Sequence, residues 1–178
     1  IGSHLTIAQT HGVSAIISDN CDYSLLTASI VASKLSLPFA SIEAALVSND
    51  KFWQRRLCSS AGLKQPKYIE VRTLNDALDA ACRVGYPAVI KPVDSRGSFG
   101  VTVVSDPEEL KIAYYEAVSS SPSRRLICEQ FIQGELVTVD GFCFSNRHQS
   151  LTVASRNYAE GKKPITKYIS YPSNHSAE

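Results

Sequence analysis

Gly85-Tyr86-Pro87-Ala88-Val89-Ile90-Lys91-Pro92 runs through Val93 into Asp94-Ser95-Arg96-Gly97-Ser98-Phe99-Gly100-Val101. An apolar strand ends in a lysine, and a loop with two glycines follows at once. Gly97 and Gly100 free the backbone to approach a ligand closely and to turn its N–H groups inward. Ser95 and Ser98 add hydroxyl donors, and Lys91 brings a point charge to the same place. The bland alternative is a hairpin with a flexible turn and a surface lysine. Two nucleotide motifs are excluded. A P-loop needs GxxxxGK[ST], with lysine directly after the last glycine, and none is present. The protein-kinase glycine loop precedes its phosphate lysine and is followed by HRD and DFG segments; here the lysine comes first and neither segment exists.

The flanking sequence alternates between strand and helix patterns. Residues 67–71 read as a strand, 73–84 as a helix, 87–92 as a strand, 94–100 as a loop and 101–104 as another strand. Asp106-Pro107-Glu108-Glu109 starts a helix with an acidic first turn, running to about Val118. Residues 119–123 are a serine-rich break. Residues 125–129 read as a strand, and 135–144 pairs naturally with 148–158 across Ser145-Asn146. Residues 165–171 are extended and aromatic. Upstream, 50–61 reads as a helix carrying Phe52, Trp53 and Leu57, stopped by Gly62 and Pro66. Before it, 13–17 reads as a buried strand, 22–35 as a helix with Asp22 as a cap, and 37–39 as a short second strand. That order suggests the end of an open α/β unit.

Composition narrows the classes. With 178 residues, 44% hydrophobic, 20% charged and a formal net charge of +1, the chain suits one ordinary domain, or one small domain plus part of another. Disorder and collagen-like folds are excluded. No stretch approaches the roughly 20 apolar residues needed to span a bilayer. Near-neutral charge gives no footprint for nucleic acid or a membrane surface. A small anionic ligand held by a few local basic groups remains open. The odd set Cys21, Cys58, Cys82, Cys128 and Cys143 contains no CxxC pair. It argues for buried free thiols in a reducing cytoplasm, against disulfides or zinc. His11, His148 and His175 form no spaced cluster, so no metal ligand is assigned. No signal peptide opens the chain, and Gly2-Ser3-His4 reads as a remnant of tag removal.

Four features then occur in an order that resembles the ATP-grasp superfamily, which includes carbamoyl phosphate synthetase, biotin carboxylase and D-alanine–D-alanine ligase. They are Asn49-Asp50-Lys51 opening a helix before Ala61-Gly62-Leu63 and Pro66; Gly85-Tyr86-Pro87 leading into Val89-Ile90-Lys91-Pro92; the 95–100 loop; and Cys128-Glu129-Gln130-Phe131-Ile132 followed by Gly134-Glu135 and Val139-Asp140-Gly141. The resemblance covers the chain from about Val13 onward. It implies an α/β fold with an α+β lid, a partial ATP-grasp fold preceded by the end of an open α/β domain. The division would be 1–48 for that preceding end, 49–133 for the lid subdomain with its glycine-rich loop, and 134–178 for the start of a truncated C-terminal subdomain.

The resemblance also implies roles. Lys51 and Lys91 would bind ATP phosphates from two sides of the cleft. Gly97 to Gly100, with Ser95 and Ser98, would form a flap closing over the triphosphate. Glu129 would accept from the adenine amino group, Phe131 and Ile132 would read the base edge through their backbone, and Glu135 would hold the ribose. Asp19, Asp22 and Tyr23 are weaker candidates, since capping explains Asp22 equally well. Without the resemblance, Lys51 is a solvated surface residue, Glu129 an exposed strand residue and Glu135 a hairpin charge. No catalytic residue is assigned. Family members hold Mg2+ on late acidic residues, a Glu-x-Asn segment near a closing Arg. Nothing after Glu135 offers that spacing, so these ligands are expected beyond the C-terminus. The implied function is the ATP-binding part of a ligase that joins a small carboxylate to an amine or thiol through an acyl phosphate. The chain is expected to be a cytoplasmic fragment, inactive alone and compatible with a homodimer. The alternative is a non-catalytic nucleotide-binding or interaction module.

Overall fold

The computed structural model describes residues 1–18, 21–144, 147–161 and 163–173. The elements, in order, are α1 (Gly2–Thr10), α2 (Asp22–Lys34), α3 (Ile42–Ser48), α4 (Lys51–Ser60), β1 (Tyr68–Val71), α5 (Leu74–Val84), β2 (Ala88–Pro92), β3 (Thr102–Val104), α6 (Pro107–Ser119), β4 (Leu126–Gln130), β5 (Leu136–Phe144), β6 (Arg147–Tyr158) and β7 (Thr166–Ser170).

The centre is a four-stranded antiparallel sheet in the order β1-β4-β2-β3. Burial alternates along β2, with Ala88, Ile90 and Pro92 buried and Val89 and Lys91 partly so. The period of two turns the first set toward α5 and α6. There Ala77, Ala80, Ala81 and Val84 of α5 meet Leu110, Ala113, Tyr114 and Ala117 of α6, together with Ile90, Leu126 and Cys128. The run of alanines lets both helices lie close to the sheet, so the core is dense without bulky residues. Burying one Leu or Ile side chain here is worth about 1.5–3 kcal/mol. Thr73 and Asp76 form a reciprocal capping box at the start of α5, and the Asp106 carboxylate accepts from the Glu109 amide at the start of α6. Each such cap contributes about 1 kcal/mol.

The opposite face of the sheet carries α4. Its N-cap Asp50 accepts from the amides of Phe52 and Trp53. Its end is a Schellman turn: Leu63 N–H donates to the Cys58 carbonyl and Gly62 N–H to Ser59, with Gly62 at φ +75°. A second sheet, β5-β6-β7, is an antiparallel meander. It has register irregularities at Asp140/Gly141 and Asn157/Tyr158.

Most of the expected elements are present, with four differences. Residues 13–17 and 37–39 are not strands. An apolar run becomes a strand only where an edge can pair with it, and here the first run instead lines an apolar cavity against α1 and α2. Two helices went unanticipated: α1, over the residues set aside as a remnant, and the seven-residue α3, capped by Ser41. Asp22 is the first helical residue of α2, and Cys21 occupies the cap position without a side-chain bond. The cysteines are free, but only Cys128 is buried; Cys21, Cys82 and Cys143 are exposed and Cys58 is intermediate. The expected Ser145-Asn146 turn, His175 and Asp19 lie outside the described residues. No described helix is long and apolar enough to cross a membrane.

Candidate functional site

Three elements bring their polar groups together on the face of the sheet away from α5 and α6. Val89 of β2 stands opposite Glu129 of β4, and Lys91 opposite Ile127. Lys91 and Glu129 are therefore diagonal neighbours on one face, within reach of long side chains. Lys91 Nζ lies 2.6 Å from Glu129 Oε2. Arg55 of α4 approaches the same carboxylate from above, with Nε 2.7 Å from Oε1 and a second nitrogen 3.3 Å from Oε2. The Glu129 side chain is only 5% exposed. Burial alone would push its carboxyl up, but the Arg55 hydrogen bonds and the Lys91 charge outweigh it and hold the group below the ordinary carboxylate value.

Lys51 enters from the first turn of α4. Its amide donates to the Val93 carbonyl at 2.9 Å, and its ammonium donates to the Ser95 carbonyl at 2.7 Å. Burial first, and then the like charge of Lys91, push the Lys51 ammonium below the ordinary lysine value against the pull of Asp22, Asp94 and Asp50. The position of this helix end is itself braced. Arg125 donates at 2.6 Å to both Asp50 and Glu70, tying the α4 cap to β1. Asp94, at the entrance of the glycine loop, accepts from the Ser121 hydroxyl at 2.7 Å and from the Ser123 amide at 2.9 Å. Burial would raise its carboxyl, yet these bonds hold it below the usual range.

The loop between these anchors is wound through the left-handed region. Gly97, Ser98 and Gly100 have φ of +59°, +61° and +71°. Ser98 bears this conformation with a side chain, at a cost of about 1–2 kcal/mol. A Cβ on Gly100 would stand 3.0 Å from Pro92 and Ser120 side-chain carbons and 3.1 Å from the Ala117 backbone, so only glycine fits where the loop rejoins the sheet. At the other side Arg96 lies over the Tyr23 ring, 4.3 Å from its centroid, linking the loop to α2.

A cavity of about 350 Å³ lies between these parts, lined by Asp22, Lys51, Lys91, Ser95, Arg96, Gly97, Ser98, Phe99 and Tyr158 among others. Of the anticipated residues, Lys51, Lys91, Ser95, Gly97 and Ser98 meet there. Gly100 lines a neighbouring cavity. Glu129 joins the group through Lys91, not as part of the lining. Phe131, Ile132 and Glu135 are exposed in the connection to β5, outside this cavity, and the Phe131 amide donates to the Pro87 carbonyl at 3.3 Å. Arg55, Asp94, Arg125 and the stacking of Arg96 on Tyr23 were missed in the sequence. A charged residue on a helix face looks the same whether it meets solvent or a carboxylate 74 positions away; one usable signal was an arginine four residues after a lysine already assigned to the site.

This arrangement, a glycine-rich loop and two lysines over an antiparallel sheet, has the ATP-grasp fold. The chain belongs to the family described as D-ala D-ala ligase C-terminus, whose model matches residues 57–162. D-alanine–D-alanine ligase of Albidiferax ferrireducens is 28% identical over 107 residues, which are 59% of this chain and 30% of that protein. The carbamoyl phosphate synthase large chain, C-terminal section, of Aquifex aeolicus is 34% identical over 89 residues, 50% of this chain and 17% of that one. Among solved structures, the biotin carboxylase–β-γ-ATP complex from Campylobacter jejuni superposes with a TM-score of 0.77 at 19% identity. The match covers 89% of this chain and 38% of that one. The chain thus spans a third or less of the two curated relatives named here.

Proposed function

We propose that this chain is the nucleotide-binding portion of an ATP-dependent carboxylate–amine or carboxylate–thiol ligase that works through an acyl phosphate. The observation that carries the reading is the convergence of two ammonium groups, Lys51 and Lys91, on a cavity walled by the flap. Arg96 adds a third cation there, and Asp22 is the carboxylate among the lining residues. Such a cation excess is uncomfortable when empty and matches a polyphosphate.

In this reading Lys51 and Lys91 neutralise phosphate oxygens. Backbone amides of the 97–100 turn close over them, and the flap excludes water from the activated carboxyl. Glu129, already aligned by Arg55, is the acceptor for the adenine amino group. Backbone groups of Phe131 and Ile132 read the edge of the base, and Glu135 holds the ribose. Mg2+ would share the phosphate charge in a complete enzyme, but the donor set here does not fit it. The cavity offers one carboxylate against three cations, and no group of three or more His, Cys, Asp or Glu that could hold a metal occurs among the described residues. Ligands for that ion would come from elsewhere in the full protein, whose cytoplasmic location and oligomeric state also belong to this proposal.

Calorimetric titration with ATP tests the reading. The native chain should bind, and Lys91→Ala should weaken binding by about tenfold or more while circular dichroism stays unchanged, one charge-assisted hydrogen bond being worth about 1.5–3 kcal/mol. Equal affinity in the two proteins would overturn it.

A further inference from the structure

The three cations that line the cavity of about 350 Å³ are held in three different ways. Lys51 donates to backbone carbonyls, those of Ser95 at 2.7 Å and Val93 at 3.5 Å. Arg96 lies over the Tyr23 ring, 4.3 Å from its centroid. Among the described residues, Lys91 is the one of the three matched by a full opposite charge, with Nζ 2.6 Å from Glu129 Oε2. A carbonyl dipole or a ring face attracts a cation without cancelling it, whereas a carboxylate cancels it. Glu129 lies outside the lining, so Lys91 borders the cavity while its charge is committed elsewhere. The pair is shielded, with the Lys91 side chain 17% exposed and Glu129 5%, and salt screens such a pair weakly. Glu129 keeps a counterion if Lys91 leaves, because Arg55 donates to it at 2.7 and 3.3 Å.

We propose that Glu129 is a specificity-determining residue that withholds Lys91 from bare polyphosphate and releases it to a nucleotide. The inference rests on the nucleotide reading and adds to it the exchange that binding requires. A triphosphate entering the cavity meets Lys51 and Arg96 uncompensated, but it has to compete with Glu129 for Lys91. Bare polyphosphate offers Glu129 nothing in return, and drawing the ammonium away leaves a buried acceptor unsatisfied. A nucleotide whose base carries an amino group brings a replacement donor together with its phosphates. A carboxylate has room for about four hydrogen bonds; Arg55 and Lys91 take three here. The amino group therefore docks before Lys91 departs. The ammonium then swings to the phosphates on its flexible four-carbon stem, while Arg55 keeps the carboxylate in place.

The test is calorimetric titration of the native chain, Glu129→Gln, Lys91→Gln and the double variant with inorganic tripolyphosphate and with ATP, below the melting temperature of each. Tripolyphosphate should bind Glu129→Gln about tenfold more tightly than the native chain, as the freed Lys91 adds one charge-assisted hydrogen bond. In the Lys91→Gln background the same substitution should change its affinity by less than about twofold, since the gain acts through Lys91. An equal gain in that background reports only the removal of a negative charge and overturns the proposal. Unchanged or weaker tripolyphosphate binding by Glu129→Gln overturns it as well. A second measurement needs no folded Glu129 variant. In the native chain labelled with 13C at lysine Cε, the Lys91 signal, assigned by its loss in Lys91→Gln, should move on saturation with ATP and stay in place with tripolyphosphate. Equal shifts with both ligands, or none with ATP bound, overturn the exchange. ATP binding to the native chain without the tripolyphosphate gain refutes this inference alone. The gain without ATP binding refutes the nucleotide reading and leaves the hold on Lys91. Binding of neither ligand to any of the proteins overturns both.

Discussion

Glu129→Gln removes one negative charge from between two cations and changes almost nothing in shape. In the native fold that carboxylate is 5% exposed, against 17% for the Lys91 side chain and 31% for Arg55. Breaking a buried pair by removing one partner costs about 3–5 kcal/mol. Arg55 is open enough for water to screen part of the penalty, so the lower end, about 3 kcal/mol, is expected. For a chain of this size each kcal/mol moves the melting temperature by about 2–4 °C, giving a fall of about 6–12 °C by differential scanning calorimetry. Adding Lys91→Met to Glu129→Gln should return part of that loss, because a single cation then remains. The pH dependence follows from the depressed carboxyl of Glu129. Its contribution is fully present above the unfolded value of about 4.3 and is lost as pH falls through the lower folded value. The gap between native and variant should therefore persist at pH about 4.3 and close only below it. A melting-temperature change under about 2 °C at neutral pH, or a gap already closed at pH about 5, would refute the claim that this carboxylate is desolvated and doubly paired.

Three further outcomes are expected. Because Lys51 is held below the ordinary lysine value, a bound polyanion should raise it and draw in a proton. ATP binding, followed over a series of rising alkaline pH values, should then develop a buffer-dependent enthalpy, which Lys51→Gln abolishes. Gly100→Ala forces a side chain into the left-handed region and against Ala117; it should lower stability by about 1–3 kcal/mol in urea unfolding, whereas Gly97→Ala, whose nearest neighbour is the Phe99 ring at 3.4 Å, should cost less. Alkylation by iodoacetamide should modify Cys21 first, since it is exposed and backbone hydrogen bonds hold its thiol below the ordinary value. Cys128, buried and pushed up to about 12, should react only on unfolding; peptide mapping by mass spectrometry reads the order.

Residues 67 to 130 were legible because local signals and tertiary demands agree there. Thr73 and Asp76 cap the helix they precede, Gly62 and Gly85 stop the helices they follow, and the two-residue period along β2 puts Lys91 opposite the core. The first fifty residues were less legible. The 13–17 run has the composition of a strand but no described strand beside it, and a seven-residue helix such as α3 is too short to show a periodicity. In the site, Lys51 and Lys91 could be marked from their spacing to glycines. Arg55 could not, because its role depends on a partner that only the folded chain defines.

The turn at residues 97–100 serves as a partition with a chamber on either side. Whatever stiffens that partition from one chamber spares an occupant of the other part of the entropy of ordering it. By thermodynamic reciprocity the two affinities then rise by the same factor whichever molecule arrives first. Two ligands held in these cavities would in that way be coupled through a four-residue stretch, with no contact between them.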